Sequence, residues 1–89
     1  MKIYFVPFHA DAPQDIILYD LSDEEEETLA FSPMGQVSFE YKKVFYQLPG
    51  GRWAYTAKEA MEIIKFYLLE DIKDLEEKLR SIDEALNLI

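Results

Sequence analysis

His9, Asp11 and Asp15 form the one grouping in the sequence whose residue types and spacing resemble a reactive site. An imidazole beside a carboxylate can act as a general base. One imidazole with two carboxylates can hold a metal ion weakly. The three residues share a loop rich in alanine and proline, however, and no nucleophile stands beside them. With so little geometry specified, a solvated loop histidine is the commoner outcome. Other catalytic ingredients are missing. With no cysteine and a single histidine, thiolate nucleophiles, Cys-ligated zinc and multi-histidine metal centres are excluded. The three glycines form no Gly-x-Gly phosphate cradle. Ser22, Ser32, Ser38, Ser81, Thr28 and Thr56 sit in no nucleophile-elbow or triad context. The acidic run Asp20–Glu27 lacks the spacing of a calcium loop. The expectation is a protein that is not an enzyme and carries no cofactor.

Charge and aromatic content point to binding instead. Eighteen acids against nine bases leave a net charge of −9 over 89 residues, which opposes direct nucleic-acid binding. Asp23, Glu24, Glu25, Glu26 and Glu27 form the densest acidic tract. It reads as a solvated loop whose carboxylates repel one another, and as a candidate surface for a basic partner. Phe39, Tyr41, Phe45, Tyr46, Trp53 and Tyr55 crowd into a short stretch. Most must be core in so small a sheet, but Tyr41, Phe45 and Trp53 are candidates for an outward, partner-binding surface. The apolar run Ile3–Val6 is too short for a signal peptide, and no apolar stretch reaches the length of a membrane span. The expected location is cytoplasmic.

The elements that position these residues divide near Thr56. Residues 1–55 contain every proline and glycine, whereas 56–89 contain neither. No Gly/Ser linker separates them, so the chain reads as a single domain, 1–89, of class α+β. Its first part is a small bent antiparallel sheet or partly open barrel, and its second is one long helix over 57–88. Residues 2–6 are apolar on both alternate sets, which suits a strand caught between a sheet and a helix. Further strands are expected at Ile16–Tyr19 and Thr28–Phe31. Over 36–48 the apolar phase slips by one position across Lys42-Lys43. Lysines are poor at positive φ, so a bulge in one long strand is expected there. Leu48-Pro49-Gly50-Gly51 spells a type II turn, returning as a hairpin into Arg52–Tyr55.

Thr56 and Glu59 have capping-box spacing, and nothing breaks the helix that follows. A helix of some thirty residues is about 45 Å long, more than a domain of this size spans. Its apolar positions cover most of the circumference at first. They then narrow to Leu68, Ile72, Leu75, Leu79, Ile82, Leu86 and Ile89, alternating four and three apart. Such a seam suits a coiled coil and is too narrow for a globular face. Upstream, Ala57, Met61, Ile64 and Leu68 continue the spacing with a stutter at Leu68, where the helix is expected to change partners. With one long helix per chain, the partner helix is expected from another copy, giving a dimer or tetramer. In a parallel pair, Lys78 would attract Asp83 of the copy while Asp71 would repel Glu76. The functional expectation is an oligomeric protein–protein interaction or adaptor module. The alternatives are an acidic inhibitor that mimics nucleic acid or titrates a basic protein, and a small enzyme using the His9/Asp11/Asp15 loop.

Overall fold

The computed structural model describes residues 1–88 as an α+β fold. In chain order the elements are β1 (Lys2–Phe5), a 3-10 turn (Pro13–Asp15), β2 (Ile17–Asp20), α1 (Asp23–Glu26), β3 (Ala30–Phe31), β4 (Val37–Tyr41), β5 (Val44–Leu48), β6 (Trp53–Ala54) and α2 (Ala57–Asn87). The strands form two antiparallel sheets of three, ordered β2-β1-β6 and β3-β4-β5.

The double apolar pattern of β1 explains how the layers stack. Ile3, paired with Tyr19 across β2, faces the second sheet and is buried with Tyr19, Leu21, Val37, Phe39 and Leu48. Tyr4, paired with Ala54 across β6, faces the other way. With Val6, Ala10 and Ala54 it packs on Ala60 and Ile64 of α2. The order is therefore sheet, sheet, helix, with β1 covered on both faces.

Three local expectations are corrected. First, Lys42-Lys43 is a hairpin turn, not a bulge. Both lysines take positive φ, 49° and 65°, and β4 pairs with β5 from Tyr41↔Val44 back to Val37↔Leu48. A two-residue turn pairs odd positions with even ones, so the phase slip is the mark of the hairpin itself. Val37, Phe39 and Tyr41 share a face with Leu48, Tyr46 and Val44. The left-handed backbone costs about 1–2 kcal/mol per lysine. It is offset by the aligned apolar pairs, by a Glu25 carboxylate oxygen that accepts the Lys42 amide at 2.6 Å, and by the Lys42 ammonium over the Tyr41 ring at 5.2 Å.

Second, 20–27 contains a helix and not a loop. Ser22 and Glu25 complete a reciprocal capping box: the Glu25 amide donates to Ser22 Oγ, and the Ser22 amide to Glu25 Oε1. Carboxylates in a first turn also meet the positive end of the helix, which outweighs their mutual repulsion. Third, Pro49-Gly50-Gly51 does not lead β5 into a hairpin with β6. Positive φ falls on Gly51, at 78°, and the turn closes from the Arg52 amide to the Pro49 carbonyl. Gly50 presses against the Ser32–Gly35 turn, where an added Cβ would lie 2.5 Å from the Met34 carbonyl oxygen. The chain thus crosses to the first sheet, where β6 pairs with β1.

Thr56 caps α2, its hydroxyl accepting the Glu59 amide at 3.2 Å. The 31 residues of α2 span about 46 Å, and the molecule is drawn out to 66 × 26 × 18 Å. Among the described residues of α2, Ala60 and Ile64 alone are buried.

Replacing Lys42-Lys43 by Asn-Gly, residues suited to this turn, is expected to stabilise the fold by about 1 kcal/mol or more. Thermal unfolding of the double variant checks this. A lower melting temperature would contradict the turn geometry.

Candidate functional site

In the His9 loop the Asp15 carboxylate turns back onto the loop's own backbone. One Asp15 carboxylate oxygen, Oδ2, accepts the Asp11 amide at 3.1 Å and the Ala12 amide at 3.2 Å. These bonds, the Asp11 amide foremost, hold the Asp15 carboxyl below its ordinary value. Asp15 is thereby committed to closing the loop. His9 lies instead at the edge of a groove of about 650 Å³ between this loop and α2. Phe8, Asp11 and Arg52 line the groove on the loop side, and Tyr67, Leu68, Asp71 and Asp74 on the helix side. The Arg52 guanidinium lies over the Phe8 ring at 4.5 Å. Among the described residues, no cluster of three His, Cys, Asp or Glu is arranged to hold a metal ion.

The acidic tract is partly consumed by the fold. Glu25 reaches both its own helix cap and the Lys42 amide. Glu26 lies 3.8 Å from the N-terminal amine. Asp23, Glu24 and Glu27 remain exposed. Of the three aromatics expected to face a partner, Phe45 is exposed. Tyr41 and Trp53 are half-buried and pack against the core of the sheets. Tyr41 stands edge-on to Tyr19 at 5.4 Å, and Trp53 donates its indole N–H to the Gly35 carbonyl at 3.0 Å. Burial among Tyr46 and Tyr41 pushes the Tyr19 phenol upward.

The seam is different. Leu68, Ile72, Leu75, Leu79, Ile82 and Leu86 are 41 to 62% exposed, although their spacing is that of an interface. Ile89 lies outside the described residues. α2 meets its own domain through another face. Ala60 and Ile64 are buried there, and the Tyr67 hydroxyl donates to the Val6 carbonyl at 3.4 Å. Burial also raises the Tyr67 phenol. That face lies about 80° round the helix from the seam, at about 100° per residue.

The upstream run therefore splits. Ile64 turns into the fold, while Met61 is 47% exposed and lines up with Leu68. Met61, Lys65 and Leu68 stand four and three apart, so the exposed seam extends one heptad further than the apolar pattern alone suggests. The polar residue at Lys65 hid this continuation, and the groove had no periodic signal because half of it comes from a loop. Among the described residues, no helix is long and apolar enough to cross a membrane. No protein-family model, curated protein or solved structure matches this chain.

The Glu25 carboxyl sits below its ordinary value of 4.5, chiefly because the Ser22 and Lys42 amides donate to its charged form. A lowered folded-state value stabilises the fold above the unfolded value and loses that contribution as pH falls through the folded one. Glu25→Gln is therefore expected to lower the melting temperature at pH 7. The gap to wild type should shrink on acidification below about pH 4.5. Circular dichroism melts across the pH range check this, and a gap independent of pH would contradict it.

Proposed function

We propose that this chain is a non-enzymatic interaction module that assembles with copies of itself through α2 and presents its paired sheets to other proteins. The observation that carries the reading is the exposed seam, six leucine and isoleucine side chains at strict heptad spacing. Their own domain does not cover them. Burying the exposed half of such a side chain contributes on the order of 1 kcal/mol, repeated along both helices of a pair. A soluble chain has little reason to keep so regular an apolar stripe in water. The hairpin tip, with Val44 and Phe45 exposed, is the part of the sheets best placed to meet another protein.

An acidic inhibitor is the second reading, and less supports it. Glu25 and Glu26 are engaged within the molecule, which leaves a thinner acidic face than the five consecutive carboxylates suggest. A reaction at the His9 loop has less support still, since Asp15 serves as a loop cap.

Sedimentation at micromolar concentration tests the main reading. Wild type is expected to run as an oligomer that dissociates on dilution. Leu79→Asp, which would bury an unpaired carboxylate in the seam at a cost of several kcal/mol, is expected to run as a monomer. Its sheets should keep their near-ultraviolet signature, because Leu79 lies beyond the part of α2 that packs on them. A wild type that sediments as a monomer removes the basis of the proposal.

A further inference from the structure

We infer that the partner on this seam is a second copy lying antiparallel, with the partner's Lys78 entering the acidic groove beside the His9 loop. The inference rests on the self-assembly reading above and adds orientation and register to it.

The seam runs from Met61 to Leu86 and takes in Lys65. With Leu68 at heptad position d, Lys65 falls at a, and Ile64, Asp71 and Lys78 fall at the flanking g positions. Ile64 is buried against the sheets, so the body of the domain lies on the g side of the seam. The groove is the corner where α2 leaves that body. Asp11, Glu70, Asp71 and Asp74 bring four carboxylates to it, against Arg52 and His9. Among the described residues, none of these carboxylates has a cation within salt-bridge distance; the one such pair is Met1 with Glu26.

Orientation decides which side chain the partner delivers to that corner. In a parallel, in-register pair the g side of one helix faces the e side of the other. The partner's Glu76 then meets Asp71 and the acidic groove, and Lys65 is set against the partner's Lys65 within the seam. Both contacts repel. In an antiparallel pair g faces g. Only one antiparallel register covers the whole exposed seam. It sets Met61 opposite the partner's Leu86, Lys65 opposite the partner's Ile82, Leu68 opposite the partner's Leu79, and Ile72 opposite the partner's Leu75. The partner's Lys78 then meets Asp71 at the groove, and Lys65 lies near the partner's Asp83. Glu62 also approaches the partner's Asp83, with Lys65 beside both. Two-fold symmetry repeats every favourable pair. The antiparallel arrangement therefore supplies a cation where the fold has gathered carboxylates, whereas the parallel one adds another acid.

Cysteine pairing reads the orientation directly, because the chain has no thiol of its own. Leu68→Cys and Leu79→Cys lie on exposed positions and leave the sheets intact. Each is oxidised alone and as a mixture at micromolar concentration, with sedimentation of wild type alongside. The mixture is expected to give a disulfide-linked dimer and each variant alone to give none. In this register the two Leu79 positions stand about 16 Å apart along the axis, beyond disulfide reach. A disulfide from Leu79→Cys alone would overturn the antiparallel orientation while leaving self-assembly standing. A wild-type dimer whose variants cross-link in no combination would overturn this register. A monomeric wild type would overturn both the register and the reading on which it rests.

Discussion

Strand β1 is apolar on both its faces, and the arrangement of the other elements follows from covering them. Ile3 and Phe5 need a sheet above, supplied by the β4–β5 hairpin through Val37, Phe39 and Leu48. Tyr4 and Val6 need a cover below, supplied by the first turns of α2 through Ala60 and Ile64. An alanine at position 60 lets the helix come close to Val6, and both are wholly buried. Past Tyr67 the side of α2 that meets the domain has no apolar residue to set against it. The face of the helix that would continue along the domain passes through Asp71, Asp74 and Lys78, all exposed. The helix leaves the body where its inward face turns polar.

This constraint was legible in the sequence, because Ile3, Tyr4, Phe5 and Val6 are apolar on both alternate sets in the way a doubly covered strand must be. The long helix and its seam were legible for a similar reason: periodicity survives whatever the tertiary structure does. Turn chemistry was harder to read. At Lys42-Lys43 the residue preferences argued against positive φ, while the phase slip argued for a two-residue reversal. The slip carried the greater weight, since misregistering the hairpin would turn Phe39 and Tyr46 out of the core. At Pro49-Gly50-Gly51 the local pattern gave a turn but not its destination. That was set by the contact between Gly50 and the Met34 carbonyl, which no local rule contains. Ser22 and Glu25 had the spacing of a capping box. What tipped 20–27 to a helix was a third partner, the Lys42 amide, 17 positions on in the chain.

The candidate surfaces divide along the same line. Spacing alone exposed the seam, but it stopped at Leu68 because Lys65 interrupts the apolar series. Placing Ile64 inside the fold and Met61 outside it shows that the series goes on. The aromatic cluster was legible only as a cluster, because composition does not say which rings a sheet will cover. Tyr41 and Trp53 carry hydroxyl and indole groups that suit a surface, and both also pack against the core. The groove beside the His9 loop was invisible, since its two walls come from segments some sixty residues apart.

The seam and the charge work against each other, and their placement accounts for a chain that is both apolar-striped and strongly acidic. A net charge of −9 keeps separate copies apart at long range. The apolar stripe acts only at contact, where water is expelled. Repulsion spread over the whole surface therefore suppresses indiscriminate clustering of the exposed leucines, while an aligned helix can still dock. In the proposed assembly, alignment is then decided by the few charges that flank the stripe. Of these, Lys65 and Lys78 matter most. They are cations in or beside a seam otherwise flanked by Glu62, Asp71, Glu76 and Asp83, so the favoured partner geometry is the one that gives each an acid to face. A parallel pair gives Lys78 the partner's Asp83 but leaves Lys65 against its own copy. The antiparallel pair satisfies both lysines and fills the acidic corner that α2 makes with its domain.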